Sequence, residues 1–286
     1  MSRRLGQWIA TAAMLFASVP CGAGEEGIRW ERNFALALEK AQRAGKPLLI
    51  DFWAEWCGWC HRLDETTYRD PEAVELSERF VCVKVDTEGG PEDVAVAIRY
   101  NVASLPTIAF LSPSGHQLKR LIGYQGPGQF PKTMRKALEA AEEVMGWEAE
   151  IAKEPDAAEP LSRLGVHLFH QEFYEESREL LYRSARHDGE LPSDDRKLTR
   201  LLLGVILSYD RKYDKAEELL HAALKMHPTG RYEPRLLYVL ARTYLRSGRP
   251  EQAAEHLERI VEEYPESEML HKAHQLLGYI RRSRSE

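Results

Sequence analysis

"DFWAEWCGWCH", residues 51–61, is the stretch that decides how this chain folds. Cys57 and Cys60 stand two residues apart, and His61 follows directly. That spacing admits three chemistries: a redox-active dithiol, half of a metal site, or a CxxCH haem anchor. The flanks settle the local structure first. "KPLLIDFWA" is a near-continuous apolar run bounded by Gly45 and Pro47, which predicts a buried strand. "CHRLDETTYRD" has helical spacing, with Leu63 and Tyr68 on the inner face. The cysteines therefore fall where a strand ends and a helix begins. There Cys57 can face unsatisfied backbone N–H groups and the positive end of the helix dipole, which stabilises a thiolate. Cys60 shares its helix face, can close a disulfide with it, and is buried by the same geometry. Trp56 and Trp59 flank the pair in partly exposed positions, whereas Trp53 belongs to the strand and is expected in the core.

The rest of the chain sets the context. Its 286 residues allow two domains with real cores. A formal net charge of −6 argues against general binding to nucleic acid or anionic membrane, which needs basic patches. The N-terminus has Arg3 and Arg4, then an apolar run from Trp8 to Val19, then small residues. That is the order of a secretory signal peptide, expected over residues 1–23 with cleavage after Ala23. The run is too short for a comfortable membrane span, and Pro20 weakens a lipoprotein reading of Cys21. Export would place the chain where disulfides form and persist. Without Cys21, three cysteines remain: Cys57, Cys60 and Cys82. One close pair plus a lone thiol is a working dithiol rather than a stapled scaffold.

Between residues 24 and 145 strands and helices alternate. "FVCVKVD", "PTIAFL" and "QLKRLIG" read as strands, the last two joined by the turn "SPSG". "RWERNFALALEKAQRAG", "PEDVAVAIRYNV" and "QFPKTMRKALEAAEEVM" read as helices, and in "DPEAVELSERF" Asp70 is the N-cap with Pro71 at the first helical position. The pattern predicts an α/β domain with a mixed sheet flanked by helices.

Taken with Cys60, "DFWAEWCG" resembles the active-site strand and turn of thioredoxins. "SLPT" (Ser104–Thr107) resembles their cis-proline turn, with Pro106 as the proline, and "LIGYQGPGQF" the glycine-containing segment beside it, with Gly123 at the matching place. The leading helix, "KPLLIDFWAEWCGWC" and "TTYRDPEAV" look more like the C-terminal domain of DsbD-type thiol:disulfide interchange proteins. The resemblance implies roles. Cys57 would attack a partner disulfide, and Cys60 would resolve the mixed disulfide. Pro106, in cis, would face the dithiol and present the backbone of Leu105 to an extended substrate strand. Trp56, Gly58, Trp59 and Gly123 would complete the substrate rim. Asp51 matches the buried acid that helps move the proton to or from Cys60. In thioredoxins a lysine accompanies that acid. Aligning Asp86 with the acid that ends the neighbouring strand puts Cys82 in the lysine's place, with Lys84 two residues on. Cys82 then reads as a buried, inert cysteine or, more sharply, as a third redox thiol. Nothing around the pair supports a haem module, and no second CxxC or paired histidines at suitable spacing support zinc; no haem, metal or other cofactor is expected. His61 is then a residue of the active-site helix whose charge could help a thiolate. His167/His170 and His271/His274 read as surface helix positions.

After Met145 the texture changes. Residues 146–160, acidic and carrying Pro155 and Pro160, read as a linker with room for some helix within it. From 161 to 286 three related units begin at Leu164, Leu203 and Leu240. In each, a small residue follows the leucine (Gly165, Gly204, Ala241), another recurs at Ser177, Ala216 and Ala253, and a leucine at Leu181, Leu220 and Leu257. Pro228 and Pro265 close the second and third units, and "SEMLHKAHQLLGYIRRS" caps the stack. This resembles the tetratricopeptide repeat, implying an all-α domain with a concave surface for a partner protein or peptide.

The sequence therefore points to an exported thiol–disulfide oxidoreductase acting on disulfide-containing or dithiol partner proteins. It would be periplasmic in a Gram-negative cell and otherwise secreted or membrane-tethered. The competing reading is a repeat-based adaptor whose redox-like domain is mainly a binding module.

Overall fold

The apolar run ahead of the cysteines forms β1 (Leu48–Trp53), the central strand of the first domain. The computed structural model describes residues 27–226 and 231–283; the expected leader over 1–23 and the landmark Pro228 lie outside them. The four-stranded sheet has the order β2-β1-β3-β4, with β2 at Val81–Asp86, β3 at Thr107–Leu111 and β4 at Gln117–Ile122. β1 pairs parallel with β2 and antiparallel with β3, and β3 pairs antiparallel with β4. The sheet is mixed, as the alternation of elements predicts.

Side chains alternate across β1, so each face meets different helices. Phe52 faces Tyr100 at the end of α4 (Pro91–Arg99), and Phe34 of α1 (Phe34–Ala44) packs on the same ring. On the other face Tyr68, Phe110 and Phe130 meet beneath α2 (Gly58–Glu65), α3 (Pro71–Ser77) and α5 (Phe130–Lys153). Leu63 and Tyr68 are buried, as the helical spacing predicts. Asp70 caps α3 by accepting from the Ala73 N–H at 3.0 Å. The first helix is shorter than its sequence pattern. Asn33 caps it by accepting from Leu36 N–H, while Glu31 pairs its backbone with β2.

The stretch expected as a linker is mostly helix. α5 continues to Lys153, and α6 (Ala158–His170) starts after the turn 154–157. The reason is burial. Trp147 and Ile151, on the extension of α5, pack against the buried cluster that the first domain shares with α6, and Trp147 meets His167 edge-on. Pro160 sits in the first turn of α6, where its missing N–H breaks no helical bond.

The remaining helices pair as α6 with α7 (Tyr174–Arg186), α8 (Ser193–Tyr209) with α9 (Tyr213–Leu224), and α10 (Glu233–Arg246) with α11 (Pro250–Glu263). α12 (Leu270–Ser283) packs on α11 and closes the stack. Two recurrent glycines allow the close approach within pairs. A Cβ on Gly165 would stand 2.8 Å from a methyl of Leu181, and one on Gly204 2.7 Å from Leu220.

The two halves share a core. Leu164, Leu168 and Phe173 belong to the same buried cluster as β1 and β3. The Phe173 ring lies 6.0 Å from Tyr100, and His167 Nε2 donates to the Gln117 carbonyl at 2.7 Å. His167 is thus half-buried at this seam rather than on the surface, and burial lowers its pKa. Gln117 pairs with Leu111, and Leu111 with Leu48, so the repeats grip the sheet at the start of β1. The cysteines follow the other end of β1, about 17 Å away along the strand at roughly 3.3 Å per residue.

Candidate active site

Cys57 is the N-cap of α2, and its Sγ accepts the Cys60 N–H at 3.2 Å. The two cysteines are disulfide-bonded. Both are buried, Cys57 at 4% exposure and Cys60 at 0%. Around them the tryptophans stand out into solvent, Trp56 at 67% and Trp59 at 62%. The Trp56 indole N–H donates to Glu88 Oε1 at 2.8 Å, and Trp59 leans on Tyr124 at 5.4 Å between ring centroids. Gly58 opens the helix with open space where a Cβ would be. The His61 ring bonds to the Glu55 carbonyl at 2.7 Å. Trp53 is only half-buried, because it ends the strand and lies edge-on to His61.

The Leu105–Pro106 peptide is cis, as the resemblance implies. The Pro106 carbonyl accepts from the N–H of Gly123, whose φ of +86° suits glycine. Pro106 is buried and Leu105 half-buried. Neither the N–H nor the C=O of Leu105 has a partner among the described residues. These two groups are available to an added strand.

Behind the pair the structure corrects one expectation. Lys84, not Cys82, accompanies Asp51. The parallel register sets Asp51 beside Lys84 and Leu49 beside Cys82. Lys84 Nζ lies 2.8 Å from Asp51 Oδ2 and 2.6 Å from Asp64 Oδ1. The rings of Trp30, Tyr68 and Trp53 surround the ammonium at 5.3–5.5 Å. Asp51 is fully buried, and this burial holds its carboxyl above the ordinary carboxylate value, with Lys84 opposing. Asp51 Oδ1 and the Tyr68 hydroxyl make no hydrogen bond of ordinary geometry among the described residues, yet they lie near enough to interact, and burial together with the Asp51 carboxylate raises the Tyr68 pKa. Burial likewise pushes the Cys82 thiol up to about 12, and its Sγ rests 3.7 Å from the Ser77 carbonyl. A thiol held that high carries essentially no thiolate near neutral pH.

The chain carries a strand-to-helix turn with Cys57 as cap, a cis-proline turn and a buried Asp–Lys pair, and residues 29–113 match the family model for thioredoxin-like domains. Residues 29–113 are a thioredoxin-like domain. Residues 209–277 match a tetratricopeptide-repeat model, which spans α9, the third helical pair and the first part of α12. The chain is 31% identical over 104 residues to thiol:disulfide interchange protein DsbD of Tatumella citrea, covering 35% of this chain and 18% of that protein. It is 31% identical over 98 residues to DsbD of Klebsiella pneumoniae, covering 33% and 16%. The chain thus spans under a fifth of the length of these relatives. Among solved structures it is similar to a thioredoxin from Thermus thermophilus, with 31% identity, a TM-score of 0.37, and coverage of 40% of this chain and 90% of that one.

Cys57, Cys60, the Pro106 turn and Asp51 lie where the sequence reading set them, whereas Lys84 rather than Cys82 stands beside Asp51, and Asp64 and Tyr124 were not singled out. Asp64 had a legible signal: it follows Cys60 by four residues, on the same face of α2. Tyr124 had none, since only the fold brings its ring to Trp59 and its hydroxyl to Thr66 Oγ1 at 3.2 Å.

Proposed function

We propose that this protein is an exported thiol–disulfide oxidoreductase that reduces or exchanges disulfides in partner proteins. The observation that carries the reading is the disulfide between Cys57, the N-cap of α2, and the fully buried Cys60. When the pair is reduced, the N-cap position stabilises a Cys57 thiolate, the attacking group. It attacks one sulfur of the partner disulfide and displaces the other as a thiolate. Cys60 then loses its proton and attacks Cys57, forming the intramolecular disulfide and releasing the reduced partner. The dithiol is the redox group itself, so the step needs no bound cofactor or metal. Export is supported by the leader pattern of residues 1–23. Among the described residues, no helix is long and apolar enough to cross a membrane.

The repeats supply a second surface for the partner. A cavity of about 660 Å³ opens at the seam, lined by Arg99 and Asn101 of the thioredoxin-like domain and by Phe169, Tyr174, Ile206 and Tyr209 of the repeats. Because the repeats hold the end of the sheet away from the cysteines, this surface leaves the dithiol rim open. A partner engaging both would present its disulfide at raised local concentration.

The test is trapping. With Cys60→Ala the mixed disulfide on Cys57 cannot resolve, and mass spectrometry of the trapped complex names the partner. Insulin reduction by the Cys57→Ala protein at the wild-type rate would defeat the reading.

A further inference from the structure

The first helices of neighbouring pairs lean on one another: α6 touches α8, and α8 touches α10. Tyr209, at the end of α8, is 60% exposed. Two arginines of α10 converge on its ring. The Arg246 guanidinium lies 3.6 Å from the ring centroid and that of Arg242 5.9 Å away, and Arg242 Nη2 donates to the Tyr209 hydroxyl at 3.2 Å. Both arginines are exposed, and neither pairs with a carboxylate among the described residues. Resting on the reading that the repeats hold the partner, we propose that this face binds an extended segment of the partner protein whose apolar side chain enters the seam cavity and whose carboxylate bridges Arg242 and Arg246.

The first support is electrostatic. Arg242 and Arg246 stand four apart on one helix, so they share a face, and like charges so placed repel. A carboxylate between them replaces that repulsion with charge-assisted hydrogen bonds, and the planar guanidinium fork suits a carboxylate. Tyr209 holds both groups in place before a partner arrives, through its π face and its hydroxyl, which lessens the ordering lost on binding. The arginines also lower the Tyr209 pKa, chiefly through the Arg242 hydrogen bond. The chain's own acids nearby are engaged elsewhere. Glu175 and Asp210 hold Arg178, and Glu172 holds Arg120. Glu176 acts on Tyr100, at the thioredoxin-like side of the seam.

The second support is shape. The seam cavity of about 660 Å³ and a small hollow beside it share Val205 and Tyr209 in their walls. The hollow adds Val239, Arg242 and Arg246. One groove therefore runs from an apolar floor of Phe169, Phe173 and Ile206, over Tyr209, to the arginines. A pocket of this size at a domain boundary takes a bulky apolar group. Alternate side chains of an extended segment share one face, so the apolar anchor and the first carboxylate stand two residues apart.

The test uses the oxidised full-length protein and a fluorescein-labelled peptide, Gly-Ser-Leu-Ser-Glu-Ser-Glu-Ser, read by anisotropy. It should bind about 10-fold more tightly than its glutamine-for-glutamate counterpart, and the advantage should shrink as salt rises. Alanine in place of the leucine should weaken it by about 10-fold, the usual worth of burying one such side chain. Arg242→Gln with Arg246→Gln should abolish the preference for the acidic peptide. Arg259→Gln, which removes a charge paired with Glu263 on α11, should keep it. No saturable binding, equal binding of the acidic and glutamine peptides, an unchanged affinity for the alanine peptide, or an equal loss with Arg259→Gln overturns the proposal. Dimerisation in sedimentation that the double arginine variant abolishes would assign the face to a second copy of the chain and overturn it too. Insulin reduction by the wild-type protein is read separately: its presence without peptide binding leaves the oxidoreductase reading standing.

Discussion

Asp51→Asn should make the oxidised protein more stable at alkaline pH while impairing it as an exchange catalyst. Asp51 is fully buried, and the Lys84 ammonium that donates to it is divided between two carboxylates. Burying a carboxylate costs several kcal/mol even after relaxation. One charge-assisted hydrogen bond offsets about 1.5–3 kcal/mol of that. An asparagine of the same shape removes the charge, leaves Lys84 paired with Asp64, and has the unpartnered Tyr68 hydroxyl beside it. The expected gain is about 1–3 kcal/mol, or several degrees in thermal midpoint for a chain of this size. The gain must depend on pH in one direction. Burial raises the folded-state pKa of Asp51 above its ordinary value of 3.8, so the folded protein binds that proton more tightly than the unfolded chain does. The stability this contributes is complete below the unfolded value and is lost as pH rises through the folded value. Asparagine has no such loss, so the gap between variant and wild type opens across that window and closes toward about pH 4. Thermal or urea unfolding of both oxidised proteins between about pH 4 and pH 8 measures it. An Asp51→Asn protein less stable than wild type at about pH 8, or a gap constant across the range, would refute the reasoning.

Alkylation of the reduced protein with iodoacetamide near neutral pH should modify Cys57 well before Cys60, and Cys82 scarcely at all, since burial holds its thiol at about 12; peptide mapping at timed quenches reads the order. Gly204→Val should cost about 1–3 kcal/mol by overpacking, because even a Cβ there meets Leu220 at 2.7 Å, and urea unfolding monitored by circular dichroism measures the loss. Phe173→Ala should cost about 3–5 kcal/mol. Because Phe173 lies in the core shared by both halves, its loss should lower the unfolding midpoint of the thioredoxin-like domain as well as the repeats. Tryptophan fluorescence from Trp30 and Trp53, followed beside helical circular dichroism, shows whether the two transitions move together.

The sequence by itself determined what depends on neighbours along the chain. Strand β1, the placement of Cys57 and Cys60 where a strand meets a helix, the Asp70 cap of α3 and the repeat register at Leu164, Leu203 and Leu240 all follow from local spacing and side-chain type. A hydrophobic period or a cap is a property of a few consecutive residues, so it can be read without the fold. Tertiary structure alone decided what depends on register between distant segments. Asp51 lies beside Lys84 because β1 and β2 pair one way rather than another; a shift of two residues would have put Cys82 there, on the same face. Residues 146–160 look like a linker by composition, yet Trp147 and Ile151 find a core to cover and the helix runs on to Lys153. The union of the two halves into one core likewise rests on Phe173 meeting Tyr100 and His167 meeting Gln117, pairs far apart in the chain. Such contacts are worth their burial only once the sheet exists to receive them, and that free energy belongs to the assembled fold rather than to any stretch of the chain.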